Sequence, residues 1–165
     1  MLSKINTAGI SGIDGYIVRC ETDVSEGLPS INMIGQLSAE VKEAQERVKT
    51  AIRNTGIHLN SARITINLSP ADIKKSGCGY DLAIAVSLLC SYGIIGTDKC
   101  LDILQSSVFV GELSLSGQLL GIHGILPMAL AARDAGYLRI FVPESNSLEG
   151  GAIEGIECYG IKDLR

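Results

Sequence analysis

An α/β chain, folded as an α+β sandwich in which helices cover a mixed β-sheet, is what three features of this sequence predict. Ile64, Ile66 and Leu68 alternate with Thr65 and Asn67, the pattern of a strand with one face in a core. Val41, Ala44, Val48, Ala51 and Ile52 instead recur at the 3.6-residue period of a helix that buries one stripe. Such segments interleave along the chain and do not fall into separate blocks, which brings helices and strands into one layered unit. The 165 residues, 46% of them hydrophobic, suffice for one sizeable core, so residues 1–165 read as a single domain.

Taken in order, Asn6 to Ile10 pairs across the Ser11-Gly12 turn with an alternating strand from Gly15 to Val24, and the chain opens on a β-meander. The Gly27-Leu28-Pro29 turn leads to a short strand, Ser30 to Ile34. Ser38 is placed to cap the first helix and Gly56 to stop it. On the outer side of that helix Lys42, Glu46, Lys49 and Arg53 line up and Glu43 faces Arg47 at i,i+4, which reads as a solvated, salt-bridged face, with a contact surface for a neighbouring domain or DNA backbone as the alternative. Pro70 ends the strand that holds Ile64 to Leu68, and Tyr80 to Tyr92 is apolar nearly all round, as a helix buried between other elements is. Ser107 to Gly111 is a strand, and Leu113 to Leu120 a hairpin that turns at Ser116-Gly117. Leu126 to Ala135 is a helix with Pro127 in its first turn and Gly136 as its stop. Leu138 to Val142 and Glu157 to Gly160 complete the strands, and Ile161 to Arg165 reads as an opening helical turn whose abrupt stop suggests a fragment of a longer protein.

A formal net charge of −4 and a pI near 5.2 argue against a domain that grips nucleic acid through general basic charge. The five cysteines (Cys20, Cys78, Cys90, Cys100 and Cys158) are scattered, without a CxxC pair, and read as reduced thiols of a cytoplasmic protein. His58 and His123 have no second ligand close in sequence, so no metal site is expected. No signal peptide is recognisable, and the longest apolar run, Leu82 to Leu89, is too short to cross ~30 Å of hydrocarbon, so no membrane partner is expected.

The strongest functional signal lies between Ile64 and Leu82, where a strand passes through a lysine- and glycine-rich loop into the buried helix. A glycine-rich turn that opens a helix presents unpaired N–H groups and a positive dipole end, which suits an anion. Asp72, Lys74, Lys75, Ser76, Gly77, Cys78 and Gly79 are therefore the candidate partner- or anion-contact loop. The order Lys74-Lys75-Ser76-Gly77 places its basic residues before the glycine, and no GxxxxGK[ST] occurs, so ATP hydrolysis is not expected of this chain. Asp81 and Glu112, acidic in apolar surroundings, are expected to cap a helix or satisfy loop N–H groups.

GIDGYIVRCETDVSEGLPSINMIG, VKEAQERVKTAIRNTG, RITINLSPADIKKSG, YDLAIA, VFVGELSLSGQL and GILPMALAA, in this order, resemble the N-terminal domain of the magnesium-chelatase-like AAA+ family, the ComM/YifB group. The resemblance implies an AAA+ ATPase domain and a C-terminal domain downstream, with ATP and Mg as cofactors of the full-length protein and none in this domain. It implies as partners the AAA+ domain of the same polypeptide, further copies in a homo-oligomer, a hexamer by analogy, and DNA, on which the whole would act in branch migration or helicase work during recombination of transforming DNA.

The chain also resembles the proteolytic domain of Lon, the related domain of RadA and the GHMP-kinase fold, which implies a ribosomal-protein-domain-two-like β-α-β architecture. Laid on this sequence, the Lon serine falls at Gly79 and the Lon lysine at Leu126, so the resemblance implies no catalytic residue: glycine carries no nucleophile and leucine takes no proton. Two alternatives stand beside the non-catalytic reading: a cryptic peptidase using Ser76 or Cys78, and an anion- or nucleotide-binding domain at Gly77 to Gly79.

Overall fold

The alternating segments pair into one seven-stranded mixed sheet, and the helical segments pack on both of its faces. A computed structural model describes residues 1–96 and 100–165 in full and residues 97–99 by their backbone alone. Strands β1 (Leu2–Ser11) and β2 (Asp14–Ser25) form a hairpin that turns through Gly12. β1 starts four residues before the expected strand, because Leu2 to Ile5 pair with Cys20 to Asp23, Ile5 enters the core, and Ser3, polar yet buried, donates to the Ser87 carbonyl at 2.7 Å. Next come β3 (Ser30–Ile34), α1 (Ala39–Asn54), β4 (Arg63–Ser69) and α2 (Asp81–Ser91). After these run α3 (Thr97–Gln105), β5 (Ser107–Phe109), the small hairpin β6 (Glu112–Leu113) and β7 (Leu119–Leu120), α4 (Ile125–Asp134) and β8 (Arg139–Pro143). A 3₁₀ turn at Glu144–Asn146, α5 (Ser147–Gly151) and β9 (Glu157–Ile161) complete the order.

The sheet runs β3-β4-β2-β1-β5-β8-β9, antiparallel between β1 and β2 and between β2 and β4, and parallel elsewhere. Alternation divides the side chains of each strand between two cores. Ile5, Val18, Cys20, Ile66 and Leu68 face α1 and α2, while Ala8, Val108, Ile140 and Val142 face α4. α2 is buried along its whole length, as its all-round apolar sequence predicts. Its two serines are satisfied in a buried hydroxyl chain: Ser87 donates to Thr22 Oγ1 at 2.8 Å and Ser91 to Ser3 Oγ at 2.8 Å. α4 rests its first turn against β2 at Gly15, where a Cβ would run into the Pro127 carbonyl, and it is entered through Gly124 at φ +84.

Four expectations are corrected. α3 is not among the predicted elements: its apolar residues Cys100, Leu101, Ile103 and Leu104 keep helical spacing, but over nine residues in all, and of these four Leu101 and Ile103 stay exposed while Leu104 is buried. α5 was not foreseen either, since Ser147-Leu148-Glu149-Gly150-Gly151 is a poor helix former that local hydrogen bonds hold, among them Ser147 Oγ to the Glu144 carbonyl at 2.7 Å. Ser38 stands at the N-cap of α1 with an extended backbone, yet its hydroxyl makes no capping bond. The tail from Ile161 to Arg165 is not helical: β9 extends to Ile161, Leu119 N–H donates to Lys162 O at 2.8 Å, and Leu164 N–H to Gly117 O at 3.0 Å. The groups along the β6–β7 hairpin thus capture this segment in extended form.

Candidate functional site

Beyond β4 the chain returns alongside the segment that joins β3 to α1. Lys75 N–H donates to Gln36 O at 2.8 Å and Ser38 N–H to Lys75 O at 2.9 Å, a parallel bridge between Leu37 and Lys75. The Lys75 side chain is fully buried, and its Nζ donates to the Pro70 carbonyl and, at 2.8 Å, to that of Ile73. Burial holds its pKa below the usual lysine range, against a smaller opposing pull from Asp72. Lys75 therefore braces the loop from within and is not a surface charge offered to a partner, which corrects the sequence expectation for that residue. Asp72 and Lys74 do stand exposed.

The following four residues, Ser76 to Gly79, line a cleft of about 430 Å³ together with Gly9, Glu112, Ile122 and His123. Gly111 stitches the helix start to the neighbouring strand, its N–H donating to Gly79 O at 2.9 Å and its carbonyl accepting from Leu82 N–H at 3.0 Å. Asp81 N–H reaches Cys78 O at 3.5 Å. Two of the first-turn N–H groups that an anion would use thus have protein partners.

At the two positions matched to the Lon dyad the surroundings differ. Gly79 is in the cleft, and a Cβ built on it would lie 3.1 Å from Ile122 Cδ1, so Ile122 occupies the room beside it. Leu126 lies outside the cleft lining, 41% exposed in the first turn of α4, with its N–H donating to Glu149 Oε1 at 3.0 Å. Cys78, half-buried, has its thiol pKa raised by burial and by the Glu112 carboxylate, with Arg47 pulling the other way. A thiol shifted in that direction is protonated at neutral pH and a poor nucleophile. Among the described residues no three His, Cys, Asp or Glu side chains gather as a metal site.

Beside the cleft lies an ion pair the sequence reading missed. Asp81, fully buried at the start of α2, accepts from Arg47 Nε at 2.9 Å and Nη2 at 3.0 Å, and from Leu113 N–H at 3.1 Å. Burial pushes the Asp81 pKa up, and the guanidinium and the Leu113 N–H pull it back. The expected Glu43–Arg47 pair exists at 3.7 Å, but the two-pronged contact of Arg47 is with Asp81. Its local partner at i,i+4 hid the distant one. The available signal was Asp81 itself, an acid in an all-apolar helix that needed a cation.

Residues 20–146 match the family described as subunit ChlI of Mg-chelatase. This chain belongs to that family. Among relatives of the ChlI-type chain, YifB of Escherichia coli is 38% identical over 157 residues, which are 95% of this chain and 30% of YifB. Competence protein ComM of Haemophilus influenzae is 35% identical over 165 residues, 99% of this chain and 31% of ComM. An archaeal Lon protease of Methanocaldococcus jannaschii is 27% identical over 171 residues, 99% of this chain and 25% of the protease. The chain thus spans about a third or less of the length of these relatives. No helix among the described residues is long and apolar enough to cross a membrane.

Proposed function

We propose that this domain is the non-catalytic N-terminal module of a longer, ComM-type AAA+ ATPase that processes DNA in the cytoplasm, and that it serves subunit assembly and coupling. One observation carries the reading: in the cleft where a Lon-like centre would stand, Gly79 offers no nucleophile, Ile122 fills the space beside it, and Leu126 lies outside. A layered domain with two cores behaves as a rigid block. Set on each subunit of a ring, six by analogy, such blocks hold neighbours in register while ATP and Mg, bound by the AAA+ domain, drive the tier below.

The experiment is removal of residues 1–165 from a longer protein that carries them, followed by sedimentation and DNA-stimulated ATP hydrolysis. The module reading expects weakened assembly and weaker stimulation by DNA. Unchanged assembly and stimulation refute it, as does labelling of Ser76 or Cys78 by an activity-directed hydrolase probe.

A further inference from the structure

We infer that the groove between α1 and residues 57–62 is a contact site for single-stranded nucleic acid, with a backbone phosphate at one end and a base at the other. Two hollows, of about 240 and 120 Å³, adjoin at Lys49 and Leu59, which line both, so a strand laid along α1 can reach the two in succession. The smaller end is walled by Lys49, Arg53 and His58, all exposed. Among the described residues none of these three pairs with a carboxylate. Lys49 and Arg53 stand at i,i+4 on α1, so their charges lie on one side and repel until an anion sits between them. That is phosphate chemistry, and Arg53 adds a planar fork that matches it.

The larger end has a different character. Ile31, Leu59 and Leu88 give it an apolar floor, and the Tyr92 hydroxyl donates to Asn60 O at 2.8 Å, which fixes the ring beside it. Aromatic and apolar surfaces of this kind take a base face regardless of its identity. Glu46, one turn before Lys49, also lines this end; its carboxylate repels a phosphate and accepts from base amino groups, which orients the strand. Charge complementarity along the groove therefore assigns the phosphate to the Arg53 end. The inference rests on the DNA-processing reading above and names where this domain would meet the strand.

The test is fluorescence anisotropy of a labelled oligodeoxycytidylate, whose bases carry amino groups, with this chain at low salt, with unlabelled deoxycytidine monophosphate and inorganic phosphate as competitors. With one backbone phosphate neutralised between the two cations, log K falls against log salt with a slope of about −0.7, and Lys49→Gln/Arg53→Gln flattens the slope and weakens binding by about tenfold or more. Lys42→Gln, on the same helix but outside the groove, binds as the parent does, and amide shifts on titration fall in residues 45–53 and 57–62. Equal losses for Lys42→Gln and the double variant, or no loss for the double variant, overturn the site. Competition by the mononucleotide or by phosphate, phosphate for phosphate, as strong as that of the oligomer overturns the strand assignment. Binding by the longer protein without binding by this chain overturns the groove and spares the module reading, and absence of binding by both overturns the two together.

Discussion

Arg47→Ala removes two charge-assisted hydrogen bonds, at 2.9 and 3.0 Å, from a carboxylate with no exposed surface, and leaves Asp81 only the Leu113 N–H at 3.1 Å. Breaking a buried pair from one side costs about 3–5 kcal/mol, and because the Arg47 side chain is 19% exposed the lower end, about 3 kcal/mol, applies. Asp81→Ala costs less, about 2 kcal/mol, since Arg47 keeps the Glu40 carbonyl at 3.0 Å while the Leu113 N–H loses its acceptor. The double variant orphans no charge, so its loss is about 3 kcal/mol, and the cycle returns a coupling of about 2 kcal/mol. Urea unfolding of the four proteins measures these values; in thermal scans Arg47→Ala falls by about 6–12 °C for a chain of this size. A double variant that loses the full sum of the single effects, or a loss under about 1 kcal/mol for Arg47→Ala, refutes the claim that this pair ties α1, α2 and β6 together.

Lys75, charged in the unfolded chain up to its ordinary pKa, is held below that value by burial, so the unfolded state binds more protons as pH approaches 10.5. The stability of the parent relative to Lys75→Met therefore rises with pH in the interval below 10.5, measured by urea unfolding at stepped pH, and a flat or falling difference contradicts the buried placement. Burial pushes the Cys20 thiol up to about 12 and Cys90 up to about 11, so both resist iodoacetamide at neutral pH in the folded protein and react once it is unfolded; mass spectrometry that finds either alkylated under native conditions counts against the core as described. Gly15→Ala forces a methyl against the Pro127 carbonyl and lifts α4 from β2, an overpacking loss of about 2 kcal/mol. Unchanged stability on chemical denaturation contradicts that contact.

The sequence announces elements wherever one physical rule dominates. The strand at Ile64 to Leu68 and the helix at Val41 to Ile52 are pure periodic patterns, and the structure has them as β4 and α1 with the same residues buried. α3 fails to announce itself because four apolar positions within nine residues are too short a run to establish a helical period, and the tail fails because its partner, the β6–β7 hairpin, is distant in sequence. In the loop, Ser76 to Gly79 reach the cleft in keeping with their glycine-rich spacing, while Lys75 is drawn inward by carbonyls that composition does not reveal. The Arg47–Asp81 pair spans 34 positions, which no local pattern encodes, and the charges at Lys49 and Arg53 read in one dimension as a solvated face or a contact surface alike, since the apolar hollow beside them comes from residues elsewhere in the chain.

The first strand of this domain ends in the middle of the sheet. Its hairpin with β2 closes through residues 12 and 13, but its opposite edge meets its neighbour only where Asn6 pairs with Val108, about a hundred residues further along. Until then a row of unclaimed amides and carbonyls lies along β1, the kind of border on which a second nascent copy zips up. Folding of this domain is therefore slow for its size, in keeping with contacts that span such distances along the chain, and crowded or stalled synthesis is where it will misassemble first.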